Sequence, residues 1–399
     1  MTLAVVGASL AGLRAVESAR RTGYRGRIVL IGAEEHLPYD RPPLSKAFLA
    51  ADGPTAVEPF LGENELRELD VELRLGSPAL ALDPIAREVH TSDATIPYIA
   101  AVIATGATAR TLPGTAGIRG IHTLRTAEDA LAVRSALDSG ARTVVVGAGF
   151  IGSEVASAAR KRGLPVTIVE SLDTPLVRAI GPEVGTVCTD LHRAAGTDLR
   201  LCTDVTGFET ANGAVTGAVL CSGETLPADL VVIGIGATPA TGWLRDSGLL
   251  LHHCDGGIIC DSTLAAAHGV YAAGDVAHVA NSLFDGELMR LEHWTNAAEQ
   301  GAAAARHALD PASARVFSAV PYFWSDWYSH RIQFVGTPRA DQVSTVPAEH
   351  GFTALYRRGD RIVGAFTVDR PRDIMKYRKR IAARAPWTEA VSFANEMAA

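Results

Sequence analysis

LAVVGASLAGLRAVESARRTGYRGRIVLIGAEE, residues 3–35, is the stretch whose reading decides the fold. Residues 3–6 form a short apolar run suited to a buried parallel strand. It runs straight into GASLAG at 7–12 and then into a helical pattern over 13–22. A second apolar run, 27–31, is followed by Glu34, 27 residues after Gly7. The succession is strand, glycine turn, helix, strand, acid. Gly7 permits the tight turn, Gly12 lets the helix pack closely on the strand, and Ser9 and Ala11 are small enough for close approach. The helix start then offers unpaired N–H groups and a partial positive charge to a pyrophosphate, and the terminal carboxylate suits a ribose diol.

The same succession recurs about 140 residues later. Residues 143–146 are the strand, GAGFIG at 147–152 the turn, 153–162 the helix and 165–169 the second strand, with Glu170 at its tip. Gly147, Gly149 and Gly152 complete the fingerprint, and Phe150 and Ile151 stand in its helical entry. Two such devices predict an α/β chain with two Rossmann-like dinucleotide-binding domains. Two dinucleotides in one chain imply FAD with a nicotinamide cofactor, because a bound flavin needs a reductant. Glu170 would repel a 2′-phosphate, and Ser171 after it is not a phosphate-clamping arginine, so NADH is expected over NADPH. Arg178, some residues downstream, is the cation that leaves room for NADPH.

Bulk composition agrees with a globular oxidoreductase. The 399 residues exceed one ordinary domain, and a net charge of −7 argues against a nucleic-acid binder. The five cysteines, at 188, 202, 221, 254 and 260, form no CxxC or zinc spacing, so neither a thiol reaction nor a metal is expected. No apolar run approaches the roughly 20 residues of a membrane helix. The opening residues lack the basic start of a signal peptide, and the expectation is a cytoplasmic protein.

The segments between and after the fingerprints make the chain resemble a family. These are LPYDRPPLSK (37–46), VIATGATARTLPG (102–114), LVVIGIGATP (230–239), GVYAAGDVA (269–277), LEHWTNAAEQG (291–301) and PYFWSDWYSHRIQFVG (321–336). In order and spacing they resemble the FAD-dependent NADH:ferredoxin reductases of the putidaredoxin and rhodocoxin reductase type. The resemblance implies a glutathione-reductase-like fold plus a small α+β C-terminal domain. It implies an FAD domain over 1–110 and 238–315, an NADH domain over 111–237, and a C-terminal domain over 316–399. The residues support it independently: 308–321 has the composition of a linker, and the strand patterns at 352–358 and 361–369 precede a helical stretch from 372.

The resemblance also distributes roles. Asp275 would accept a hydrogen bond from the flavin ribityl chain, or cap the next helix as an ordinary turn residue. Arg41 and Lys46 would lie near the flavin, where a cation favours the reduced form. The turns at Thr105, with Gly106, and at Gly234, with Gly236 two residues on, read as apolar strands ending in glycine, suited to a passing nucleotide. Glu154 would meet the nicotinamide amide, or simply satisfy the helix dipole. Glu292 and Trp294 would precede a helix over 296–307 aimed at the flavin, with His293 as packing. Trp324 would stand near the flavin edge and Trp327 in the core. Arg125 would either start a helix or reach the FAD. The basic run 370–380 would steer an acidic partner or form a solvated helix face. Lys46, Glu154 and Trp324 are the expected catalytic set.

The implied activity is hydride transfer from NADH to FAD, then single-electron delivery to a two-iron two-sulfur ferredoxin serving a haem monooxygenase or a ring-hydroxylating oxygenase. LSK at 44–46 stands where related peroxidases carry LSC, which removes the cysteine nucleophile of that chemistry. The alternatives are a reductase of rubredoxin or of a small molecule such as monodehydroascorbate, and an NADH-responsive protein resembling apoptosis-inducing factor. Monomer and dimer both fit the composition.

Overall fold

The structure, a computed structural model, describes residues 1–346 and 350–398. The chain divides into two compact units. The first comprises Met1–Asp40, Glu58–Thr108 and Thr238–Tyr322; the second comprises Arg41–Val57, Ala109–Ala237 and Phe323–Ala399.

In the first unit the strands Thr2–Val6, Arg27–Ile31, Val71–Arg74, Ala100–Ile103 and Val270–Ala272 form a parallel sheet, extended by an antiparallel edge strand, Ala265–Ala267. Apart from Thr2 and the exposed Arg27 at their starts, its central strands are apolar and buried on both faces, as a sheet covered by helices requires. Each aliphatic side chain enclosed this way contributes roughly 1.5–3 kcal/mol. Helices Leu10–Arg21 and Trp294–Leu309 pack together so closely that a Cβ on Gly301 would lie 2.1 Å from the Ala11 carbonyl oxygen. A three-stranded antiparallel meander, from Ala79–Asp83 to Thr95–Pro97, precedes the strand Ala100–Ile103.

The second unit repeats this plan. Strands Thr143–Val146, Val166–Val169, Asp198–Arg200, Leu230–Ile233 and Ile121–His122 form a wholly parallel sheet. Its meander spans Val205–Ala211, Ala214–Leu220 and Thr225–Pro227. In both units the strand after the meander lies beside the first strand, which pairs on its other side with the second. The repeat therefore extends well beyond the two glycine fingerprints.

The C-terminal part is a five-stranded sheet in the order Tyr322–Trp327, His330–Gly336, Arg361–Val368, Phe352–Arg358, Gln342–Val346, with helices Pro371–Ala382 and Trp387–Ala398. The expected class is the observed one: α/β, two Rossmann-like sheets, and a small α+β C-terminal part.

Three helix starts among these differ from the pattern reading. The helices after the glycine turns begin at Leu10 and Phe150, three residues earlier than expected. Gly12 and Gly152 lie inside the first helical turn, where close packing rather than flexibility demands glycine. The later helix begins at Trp294, not 296, because Trp294 itself occupies the first turn.

Candidate functional site

Each unit carries a glycine cradle at the end of its first strand. Gly7 donates its N–H to Ile31 O at 2.8 Å, and Gly147 donates to Val169 O at 2.8 Å, so both turns are tied to the second strand. Both take positive φ, +119° and +101°, the region in which only glycine is unstrained. A Cβ on Gly12 would lie 1.9 Å from Gly7 O, and one on Gly152 would lie 2.1 Å from Gly147 O. These four glycines are fixed by the protein's own packing.

Gly149 is different. Its φ is −77°, and an added Cβ would meet only Gly234 O, at 3.5 Å. The fold itself leaves room for a side chain there, so the protein's own packing does not account for a glycine at this position, whereas close approach of a bound pyrophosphate would. Ser9 occupies the equivalent place and is the N-cap of its helix, yet its hydroxyl makes no capping bond; Gly149 has no side chain with which to cap. Both helix starts thus keep first-turn amides without an N-cap side-chain acceptor, the donor set an anionic pyrophosphate requires. The residues present fit two dinucleotides.

The acids stand at the strand tips. Glu170 accepts the N–H of Ala148 at 2.6 Å and of Leu172 at 2.9 Å, which holds its carboxylate at the mouth of the second cradle. Glu34 accepts the Tyr39 hydroxyl at 2.6 Å. Arg178 is exposed on the short helix Val177–Ile180, and Gly236 is exposed with φ +100°.

Lys46 and Glu154, 108 residues apart in sequence, are brought together: Nζ and Oε1 are 2.7 Å apart, with Glu154 3% exposed. The short 3₁₀ turn Pro42–Ser45 sets down Lys46, and the first turns of helix Phe150–Lys161 present Glu154. The Ser45 and Ser325 hydroxyls also donate to this carboxylate, and Trp327 Nε1 donates to Ser325 Oγ at 2.8 Å. A buried carboxylate is tolerable only when paired and hydrogen-bonded, and this one is both. Ser45 and Ser325 escaped the sequence reading. Adjacency to Lys46 is the one signal for the first; for the second it is the strand alternation that buries Phe323, Ser325 and Trp327 on one face and leaves Trp324 half-exposed on the other.

The remaining candidates fall in both units. In the first, Thr105 Oγ1 donates to Ala240 O at 2.9 Å and Gly106 takes φ +68° beside it. Asp275 sits on the 3₁₀ turn Gly274–Val276. Arg290 Nη1 reaches the Asp275 carbonyl at 2.9 Å and Glu292 Oε1 at 2.7 Å, a link the sequence did not suggest. Trp294 Nε1 donates to Asp40 at 2.8 Å. Burial pushes the His293 pKa down to about 4, opposed in part by Asp275, so the ring is neutral and fits the packing role. In the second unit Arg41 Nη1 donates to the Arg125 carbonyl at 2.7 Å, and Arg125 directly precedes the N-cap Thr126 of helix Ala127–Asp138. The basic run lies on helix Pro371–Ala382, where Arg372, Lys376 and Lys379 are exposed and Arg370 is paired with Asp373.

Behind Trp327 lies His192, fully buried and stacked on it at 4.8 Å, with Nδ1 2.6 Å from Tyr328 Oη and Nε2 3.2 Å from Ser153 Oγ. Burial pushes its pKa down to about 4. The folded value lies below the unfolded one of about 6.5, so its stabilising contribution is full above that pH and is lost as pH falls towards 4. Urea unfolding at pH 5 is expected to show a penalty from this residue of about 2 kcal/mol relative to pH 7. His192→Gln should flatten the pH dependence by that amount. An unaltered slope in the variant would mean that the ring takes up a proton within the native fold.

Residues 1–301 match the family described as pyridine nucleotide-disulphide oxidoreductase, and residues 322–398 match the reductase C-terminal family. The chain is 36% identical over 394 residues to rhodocoxin reductase of Rhodococcus erythropolis, covering 97% of this chain and 91% of that protein. It is 37% identical over 392 residues to the ferredoxin–NAD(+) reductase subunit of the benzene 1,2-dioxygenase system of Pseudomonas putida, covering 96% and 92%. Among solved structures it resembles the covalent putidaredoxin reductase–putidaredoxin complex, with a TM-score of 0.89, 32% identity, and coverage of 96% of this chain and 94% of that one.

Proposed function

The chain belongs to the pyridine nucleotide-disulphide oxidoreductase family, and from that premise we propose that it is an NADH-dependent, FAD-containing ferredoxin reductase. The observation that carries the reading is the presence of two geometrically equivalent cradles in one chain, each with a helix start lacking side-chain caps. All five cysteines are free, and Cys188 and Cys260 are buried with their thiol pKa values pushed up by that burial, so no dithiol relay is needed in the account.

When bound, the two dinucleotides supply the redox chemistry: a hydride passes from nicotinamide to flavin, and electrons leave the flavin singly. The chain's own residues bind and orient. We assign residues 1–110 and 238–315 to FAD, 111–237 to NADH, and 316–399 to the C-terminal domain. Gly7, Ser9, Ala11 and Gly12 would hold the FAD pyrophosphate and Glu34 its ribose, with Thr105, Gly106, Asp275, Glu292 and Trp294 along the remainder. Gly147, Gly149, Phe150, Ile151 and Gly152 would hold NADH, with Glu170 at the ribose and Arg178 and Gly236 at the rim. Lys46 and Glu154 would fix charge beside the reacting rings, Trp324 would flank them, and Arg41 and Arg125 would complete the FAD side. Glu170 supports NADH over NADPH, since its carboxylate is fixed where a 2′-phosphate would add a second negative charge.

The partner would be a two-iron two-sulfur ferredoxin feeding a haem monooxygenase or a ring-hydroxylating oxygenase. The one-electron exit to it would need an exposed flavin edge and no further redox group in this chain. A cytoplasmic location belongs to the same proposal; no helix among the described residues is long and apolar enough to cross a membrane. The test is NADH-driven cytochrome c reduction with and without such a ferredoxin. A large ferredoxin-dependent increase is expected. Bleaching of the flavin by NADH with no effect of any ferredoxin would turn the reading towards a rubredoxin or small-molecule acceptor.

A further inference from the structure

The first unit carries a side-chain cluster that none of the roles above uses. Residues 252–255 read HHCD, and the loop they form is closed at both ends: His252 N–H donates to Gly257 O at 2.7 Å, and Gly256 N–H donates to His252 O at 2.8 Å. Consecutive residues of an extended segment point to opposite faces. This turn instead brings the donor atoms of His252, His253 and Cys254 within 4.8 Å of one another, with His253 and Cys254 exposed.

We propose that His252, His253 and Cys254 form a site for a borderline-soft divalent cation of the zinc class. Two imidazoles and one thiolate are the donors such ions prefer over magnesium or calcium, which take oxygen. Tetrahedral coordination would require donors roughly 3.3–3.8 Å apart, so three side chains already within 4.8 Å of one another would draw together on binding. The fourth position takes water, and binding releases the Cys254 proton to solvent.

The surroundings are those of a metal-binding histidine. Asp255 Oδ1 lies 3.2 Å from His252 Nδ1. A proton shared there leaves Nε2 with its lone pair, the arrangement by which a carboxylate orients a ligating imidazole. The Asp255 carboxylate is itself held in place by the Gly257 N–H at 3.0 Å, His278 Nε2 at 2.9 Å and Arg290 Nε at 2.8 Å. His278 stacks on the His252 ring at 4.3 Å and so steadies its orientation. Asp255 itself is not a ligand in this account. Its oxygens serve His278 Nε2 at 2.9 Å and Arg290 Nε at 2.8 Å, and a cation bound to it would face the Arg290 guanidinium.

The experiment uses untagged, FAD-loaded protein stripped with a chelator and titrated with cobalt(II) alone, then with zinc(II) alone. One equivalent of cobalt should bind and produce a thiolate-to-cobalt charge-transfer band in the difference spectrum, which zinc then removes. Cys254→Ser should abolish the band. His253→Ala should weaken binding at least about tenfold, and Asp255→Asn about 10–100-fold. Cys221→Ser, an exposed cysteine of the other unit, should change nothing. Flavin content confirms that each variant is folded. Failure of the stripped protein to take up cobalt at micromolar concentration, or persistence of the band in Cys254→Ser, would overturn the proposal.

Discussion

Gly7→Ala is expected to yield protein that retains no flavin and has lost a large share of its stability. The new methyl carbon would lie 2.1 Å from Ala104 O, on a residue held at φ +119°. Positive-φ strain costs about 1–3 kcal/mol and forced overpacking about as much again, against a total of about 5–15 kcal/mol. Differential scanning fluorimetry and the flavin-to-protein absorbance ratio measure both effects. The informative contrast is Gly149→Ala, where a Cβ has space and φ is −77°. That variant should keep its flavin and melting temperature but raise the KM for NADH about tenfold, because the methyl group would obstruct only the arriving nucleotide. Equal stability losses in the two variants would show that Gly149 is a packing glycine and that nothing needs to approach it.

The second large effect concerns the buried pair. Lys46→Met would leave the Glu154 carboxylate, 3% exposed, with two serine hydroxyls and no cation. Removing one partner of a buried pair costs about 3–5 kcal/mol. Replacing both partners, as Lys46→Met with Glu154→Gln, should recover most of that stability, since no uncompensated charge remains and the serines keep a partner. Stability and turnover should then separate: the double variant melts near the parent, yet NADH bleaches its flavin slowly. Should Lys46→Met alone melt like the parent, the Ser45 and Ser325 hydroxyls alone would suffice for Glu154, and the pair would carry no structural weight.

Those two results bear on how far a sequence of this kind can be read. The cradles were legible because their geometry is local. Strand, turn and helix lie within some twenty residues, and each glycine answers to a carbonyl a few positions away or on an adjacent strand, as Gly12 does to Gly7. Lys46 and Glu154 were each recognisable, but their union was not. It depends on a proline-rich turn being delivered against a helix more than a hundred residues on. Ser325 was harder still, because a serine in an aromatic strand carries no signal until the alternation of that strand is known. Neither meander was legible, and for the second the reason is different. Residues 205–227 alternate weakly and are mostly exposed or half-buried, so their pattern says little about where the chain returns to the sheet.

The close seating of Gly301 against Ala11 has a consequence for how the molecule is made. Helix Leu10–Arg21 leaves the ribosome early, but Trp294–Leu309, which covers it, follows some 290 residues later. At about 5–20 residues per second that is a wait of roughly 15–60 s. Over that interval the sheet from Ile121–His122 to Leu230–Ile233 has been synthesised in one continuous run. The five strands of that sheet are thus all available while the beginning still lacks its cover, and the apolar face of the first helix is the surface that a nascent-chain chaperone would have to shield.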